Sequence, residues 1–319
     1  MLRRMRADGS NTVLAVDMGG DKLVWSRFNI RPGSVKQAGN AFVMRAYDGS
    51  GYLDLLEDVA VVARKESLTV GISLAGPTEG TRLVASPNLG TFTEELYDRY
   101  GGDFTNLFQR VKLANDAEAG IMAASLEAVR RHPDTRDVIY VINGSGVGGA
   151  VLRDGTIYAT EPGHVELHSL LNRFNQTKIC GLFGAEYVCV DHVAASRAGI
   201  EDIWYQQTGK QLTGIELSQL YRQHNLLAIE LYDGSAVVMA HVIAGIVRAF
   251  ALPRDFSRVA VVCHGGIFGV EGYGDRLLGV LAALNGRAPK LLLTSEFSQN
   301  ACLDGAAIAA IAGLAEERN

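Results

Sequence analysis

The chain has 319 residues, a mass of 34.2 kDa, a formal net charge of −5 and a pI near 5.8, a size that favours two domains over one core. The acidic balance speaks against a nucleic-acid or anionic-membrane surface. No uninterrupted apolar run reaches the roughly 18–20 residues of a membrane span, and the basic start MLRRMRADGSN lacks the apolar stretch of a signal peptide. Its cysteines, Cys180, Cys189, Cys263 and Cys302, are too scattered for a disulfide framework, so the reading is a soluble cytoplasmic protein.

In chain order, Thr12–Val16 and Lys22–Phe28 read as strands around a turn on Gly19-Gly20, with Asp17 and Asp21 flanking the glycines. Two glycines so flanked look like a place for a phosphate and its metal ion. Tyr52–Lys65 has helical apolar spacing, Thr69–Leu74 is a strand closed by Gly76-Pro77, and Val111–Ala114 is a short buried strand. Asp116 can cap a helix through Ala117–Arg131, which His132-Pro133 ends. Asp137–Ile142 is a strand, followed by the turn Asn143-Gly-Ser-Gly-Val-Gly-Gly149 and an outgoing strand Ala150–Arg153. Leu170–Thr213 reads as an irregular mixture of helix and loop, Ala236–Leu252 as an apolar helix, Val259–Cys263 as a strand ending at His264-Gly265-Gly266, Leu291–Leu293 as a strand and Asn300–Ala315 as a last helix.

DMGG and NGSGVGG lie about half a chain apart, each after an apolar strand that ends in a polar residue. That repetition predicts two related α/β domains. Glycine clusters directly after strands let backbone amides converge on phosphate oxygens. Neither a P-loop nor a dinucleotide fingerprint is present.

Several segments resemble motifs of the ROK family of sugar kinases, within the actin/hexokinase/Hsp70 ATPase superfamily, and they do so in family order over nearly the whole chain. VDMGGDK resembles the first phosphate loop, GISLAGPTEGTRLVASPNLG the segment ending in SPNL, and LANDAEAGIMAA the catalytic motif. INGSGVGGAVLRDG resembles the second phosphate loop, EPGHVE the sugar motif, VAVVCHGGIFG the adenosine strand and turn, and SEFSQNACLDGAAIAAI the closing helix. The resemblance implies a two-domain actin-like ATPase (ribonuclease H-like) α/β fold with a nucleotide and sugar cleft between domains. Residues 1–116 plus 303–319 would form an N-terminal sugar and phosphate domain, and 117–302 a C-terminal nucleotide domain.

By the same resemblance Asp116 is the base that takes the proton from a sugar hydroxyl as that oxygen attacks the γ-phosphate of ATP. Asn88, Asn115, Glu161, His164 and Glu186 would bind the sugar. Asp17 would hold Mg²⁺ or its waters. Gly19, Gly20, Asp21, Lys22, Gly144, Ser145, Gly146 and Gly148 would line the phosphates, with Gly265 and Gly266 beside the nucleoside. The implied cofactors are ATP and Mg²⁺, and the implied assembly is a homodimer.

Two departures stand out. Family members commonly carry zinc on the GH histidine and three cysteines, but KICGLFGA keeps only Cys180, with Lys178 and Ala185 at two ligand positions. His164 and Cys180 give two ligands where zinc needs about four, and Cys189, His168 and His192 lack the expected spacing, so structural zinc is not expected. Asp21 replaces the usual threonine. Two unit charges about 4 Å apart repel by about 1 kcal/mol in water and about 4 at an effective dielectric near 20. Asp21 therefore joins Asp17 at the metal, turns outward, or weakens the site. The rival readings are a non-catalytic sugar or nucleotide sensor (a pseudokinase) and polyphosphate as donor. The family's DNA-binding repressors carry a helix-turn-helix that the dozen residues before the first strand do not accommodate.

Overall fold

A computed structural model describes residues 11–20, 22–31, 34–46, 49–86, 89–167, 171, 174, 178, 180, 184 and 187–316. Asp21, Asn88 and Glu186 therefore lie outside the described residues. Strand β1 (Asn11–Met18) sends Leu14, Val16 and Met18 to one core and Val13 and Ala15 to another. A strand buried on both faces needs cover on both. On one side the cover is α1 (Tyr52–Glu66), through Leu53, Leu56 and Val59, together with α2 (Gly90–Tyr100), through Phe92 and Leu96. On the other it is the last helix, whose Leu303, Ala306, Ala307, Ala310 and Ile311 pack on β1 and its neighbour.

β2 (Lys22–Arg31) and β3 (Ser34–Arg45) extend the sheet antiparallel from β1, while β4 (Thr69–Leu74) lies parallel on its other side. A small hairpin of β5 (Thr78–Glu79) and β6 (Arg82–Leu83) precedes α2. β7 (Val111–Asn115) closes the sheet parallel to β4, giving the order β3-β2-β1-β4-β7. α3 (Asp116–Arg131) follows at once.

The second sheet is built from β8 (Asp137–Asn143), β9 (Val147–Arg153), β10 (Thr156–Thr160), β11 (Val259–His264) and β12 (Lys290–Leu293). Its order is β10-β9-β8-β11-β12, with β9 and β10 antiparallel additions and β11 and β12 parallel ones. This is the plan of the first sheet repeated, as the duplicated strand–turn–strand pattern predicts. Between β10 and β11 come α4 (Asp191–Ala194), α5 (Asp202–Thr208), α6 (Gly214–Arg222) and α7 (Leu226–Ala249). α8 (Tyr273–Asn285) precedes β12, and α9 (Ala301–Glu316) returns to the first sheet. The chain divides into two compact units accordingly, Met1–Leu126 with Ser298–Asn319, and Glu127–Phe297.

Some expectations need correcting. The second outgoing strand begins at Val147, because Val147-Gly148-Gly149 pair with β8 instead of prolonging the turn. The apolar helix starts at Leu226, ten residues before the expected Ala236. Asn225 caps it by accepting from the Ala228 amide at 3.1 Å. α7 is long and apolar enough by length and composition to cross a membrane, yet Met239, Ala240, Ile243 and Val247 are buried in the second unit's core. The stretch read as mixed helix and loop is so: it holds α4, a π-helical turn over Ser196–Glu201, and α5 among its described residues.

α9 reaches its sheet at backbone contact. A Cβ on Gly71 would stand 1.9 Å from the Ala306 carbonyl oxygen, and one on Gly305 would stand 1.7 Å from that of Ala119. Replacing Gly71 by Ala is expected to lower unfolding stability in urea by about 3 kcal/mol, the scale of a core overpacked by one methyl. Gly279 in α8 has nothing within 4 Å of such a carbon, so Gly279→Ala is expected to leave stability equal or raise it by up to about 1 kcal/mol.

In the second unit Glu127 accepts from Arg130 at 2.7 and 2.6 Å and from Arg131 at 2.6 Å. Arg130, then Arg131, holds its carboxyl at about 2, against the opposing effect of burial. A depressed pKa stabilises the fold above the ordinary value of 4.5, and the contribution is lost as pH falls toward 2. Glu127→Gln is therefore expected to lower stability at pH 7 by about 1 kcal/mol. In thermal melts the difference from the unsubstituted protein should narrow below pH 4.5 and close near pH 2.

Candidate functional site

In the first unit, parallel pairing brings the C-terminal ends of β1, β4 and β7 to one sheet edge: Asp17 is opposite Ser73, and Leu74 opposite Asn115. Ligands of α/β sheets collect at such edges. Asp17 is buried, its carboxylate accepting from Ser73 Oγ at 3.0 Å and from Asn300 Nδ2 at 2.8 Å. Those bonds fix its direction. Asn300 itself caps α9, accepting from the Leu303 amide at 3.1 Å. The turn beside Asp17 is closed by the Gly19 amide donating to the Lys22 carbonyl at 2.9 Å.

Asp116 begins α3, and the capping is divided between it and Asn115. The Ala117 amide donates to Asp116 Oδ1 at 2.8 Å and to Asn115 Oδ1 at 2.9 Å, while the Asn115 amide donates to Glu118 Oε2 at 3.1 Å. Asn115, with Glu118 three residues on, thus forms the reciprocal start of the helix. Its Nδ2 donates to the Gly76 carbonyl at 3.3 Å. The expected sugar-binding amide therefore has a structural task, and Asp116 stands with Glu118 in the first turn.

In the second unit the glycine loop Gly144–Gly146 leaves β8 after Asn143, which is fully buried. Asn143 Nδ2 donates to the Ala194 carbonyl at 2.8 Å, and its Oδ1 accepts from the Ser196 amide at 3.1 Å. The Gly144 carbonyl accepts from the Ser196 amide at 2.9 Å, and the Ser145 carbonyl from the Ala198 amide at 3.2 Å. A Cβ at Gly144 would meet nothing within 4 Å, so space beside this loop is open. Gly265 has φ 121°, and a Cβ there would stand 1.9 Å from the Asn143 carbonyl oxygen. Glycine is required at 265 so that two strand ends can approach.

Gly266 lines a cavity of about 630 Å³, shared with Ile267, Thr213, Ser218, Arg222 and Glu271. One wall is α6, started by a capping box in which Glu216 Oε2 accepts from the Thr213 amide at 2.8 Å. Gly214 is held by Glu201 Oε1, which accepts its amide at 2.7 Å, and by Tyr232 Oη, which donates to its carbonyl at 3.1 Å. The sequence signal for this wall was T-G-I-E at Thr213–Glu216.

Glu161 and His164 bound the turn Pro162–His164 that follows β10. His164 Nδ1 lies 3.5 Å from Cys180 Sγ and 3.9 Å from Asp191 Oδ2, and Tyr187 Oη donates to the His164 carbonyl at 2.9 Å. Cys189 Sγ is 3.6 Å from His192 Nδ1. The ligand atoms of His164, Cys180 and Cys189 all fall within 4.8 Å of one another. Folding thus supplies three soft or borderline ligands where spacing in the sequence gave two, which corrects the ground for expecting no zinc. Lys178, at a lost cysteine position, pairs with Asp202. Burial pushes the Cys189 thiol up to about 11, and Tyr187 is raised to about 12, chiefly by its hydrogen bond with Cys180. Burial likewise raises Asp191, with the Val147 amide and then His164 opposing.

Two five-stranded sheets of one plan, each with a glycine turn after its first strand, define the actin-like ATPase fold. Residues 53–312 match the model of the ROK family, so the chain belongs to the ROK family. A ROK hexokinase from Thermus thermophilus is similar over 96% of this chain and 99% of its own, at 24% identity and TM-score 0.68. A ROK glucokinase from Streptomyces griseus, in complex with glucose and AMPPNP, is similar over 93% of this chain and 98% of its own, at 18% identity and TM-score 0.66. A ROK transcriptional regulator, a homolog of the E. coli MLC protein, is similar over 95% of this chain but 78% of its own, at 17% identity and TM-score 0.66. No curated protein matches the sequence.

Proposed function

We propose that this chain is an ATP-dependent sugar kinase that transfers the γ-phosphate to a hydroxyl, the 6-hydroxyl by preference, of a hexose or amino-sugar. The observation that carries the reading is the cavity of about 630 Å³ beside Gly266, on the same sheet edge as the open glycine loop. It is large enough for a nucleoside and lined by hydroxyl, guanidinium and carboxylate groups. A polyphosphate donor has no nucleoside to fill such a space, so the reading favours a nucleotide.

Asp116 would take the proton of the acceptor hydroxyl as that oxygen attacks the γ-phosphorus and ADP leaves. The helix start built by Asn115 and Glu118 would keep its carboxylate aimed. Asp17, fixed by Ser73 and Asn300, would orient Mg²⁺ or its waters. Mg²⁺ would neutralise phosphate charge during transfer. Backbone amides of Gly144–Gly148 would hold phosphate oxygens, and Glu161 and His164 would hydrogen-bond the sugar.

His164, Cys180 and Cys189 would supply three of the about four ligands of a structural zinc, which would brace the turn carrying His164. Substituting Cys189 by Ser is expected to cut the zinc retained after dialysis, read by elemental analysis, at least tenfold. Cobalt added to the unsubstituted protein should give the thiolate charge-transfer absorption that the variant loses. Equal metal content in the two proteins would remove Cys189 from the ligand set.

For the kinase itself, the measurement is ADP release with Mg-ATP over a panel of hexoses and amino-sugars, with a no-sugar control. Sugar-dependent release is expected, and Asp116→Asn should lower it about 10²–10⁴-fold while sugar binding by calorimetry persists. Sugar binding without release from the unsubstituted protein would replace the kinase reading by a sensor.

A further inference from the structure

Asp191, the first residue of α4, belongs to none of the motifs legible in the sequence. Its Oδ1 accepts from the Val147 amide at 2.7 Å, where the glycine loop enters β9. A Cβ on Gly163 would lie 2.2 Å from that same oxygen, so the sugar-motif turn rests directly on the carboxylate. On Gly146 a Cβ would meet Oδ2 at 3.3 Å, and Oδ2 lies 3.9 Å from His164 Nδ1. One side chain, 17% exposed, thus touches both the loop assigned to phosphate and the turn assigned to sugar.

The backbone around it makes the same bracket. The Val190 amide donates to the Val165 carbonyl at 3.1 Å, on the sugar-motif side. Past α4, the Ser196 amide reaches Gly144 and the Ala198 amide reaches Ser145, at 2.9 and 3.2 Å. Glycine at 146 and 163 is what allows so short a carboxylate to meet both segments. A charged acceptor is well suited to the joint, because hydrogen bonds to ionised groups are the stronger ones.

We infer that Asp191 is a positioning residue that ties the sugar turn to the phosphate loop, so that order in one segment depends on order in the other. The inference rests on the proposed roles of those two segments. Neither Asp191 oxygen is required to touch substrate; it acts through Val147 and through Gly163-His164.

The test uses the full chain, unsubstituted and as Asp191→Ala and Asp191→Asn. Amide hydrogen exchange is followed at Val147 and at His164-Val165, and Mg-ADP affinity is measured by calorimetry. Asp191→Ala is expected to speed exchange about tenfold or more at both segments and to weaken Mg-ADP about tenfold, the size of one charge-assisted hydrogen bond. Asp191→Asn keeps an acceptor oxygen of the same shape and should restore both readouts to within about threefold. Exchange that rises at only one segment, or not at all, overturns the inference, and so does an Asn variant as impaired as the Ala variant. If the unsubstituted protein releases no ADP with any sugar, the kinase reading falls. The exchange result still decides the role of Asp191, since it needs neither sugar nor turnover.

Discussion

A buried carboxylate is tolerated only when donors surround it, and that requirement at Asp17 organises the first unit. One donor, Ser73, comes from the parallel neighbour strand, in register by the pairing of β1 with β4. The other, Asn300, lies 283 residues further along the chain. Because Asn300 also caps α9, satisfying the carboxylate and starting the helix are one event. The helix so placed covers the second face of β1, and glycines let it approach at backbone distance, Gly71 at β4 and Gly305 at α3. Fold closure and the direction of a candidate metal-binding group thus depend on the same few atoms.

The second unit solves the equivalent position differently. Asn143 ends β8 as Asp17 nears the end of β1, but its partners are a carbonyl and an amide. Only a side chain that both donates and accepts can satisfy that pair, which a carboxylate cannot do. Asn143 is also neutral, so a phosphate at the adjoining loop meets no fixed negative charge from the strand end. On the proposed reading the duplicated plan is specialised in this way: the carboxylate stands for the metal, the amide for the polyanion.

The central strands and long helices were legible because burial on one or both faces leaves a strong periodic or continuous apolar signal, as in Thr69–Leu74 and Val259–His264. β3 was not, because it is an edge strand with no residue fully buried. α2 went unread because its buried contacts reduce to Phe92 and Leu96. Motif order singled out Asp17, Asp116, the glycine loops and the turn at His164 as candidates. It missed Ser73, Asn300 and Asp191, whose contacts arise from tertiary approach across 56, 283 and 44 residues. Cys189 could be named as a possible ligand but not placed, because spacing along a chain does not fix distance through it. The reading of Asn115 as a sugar ligand did not include the capping role that Asn115 takes with Glu118 three residues later.

The first unit is discontinuous: its sheet is made early in the chain, whereas α9 follows the whole of the second unit. During synthesis at about 5–20 residues per second, the nascent strands wait roughly fifteen to fifty-five seconds for that helix. Through that interval Val13, Ala15, Phe28 and Ile30 lack the cover that Leu303, Ala307 and Ile311 later give them. The contiguous second unit faces no such delay. The contiguous unit can therefore complete its core before the discontinuous one, whose sheet gains its second cover only when the last helix emerges.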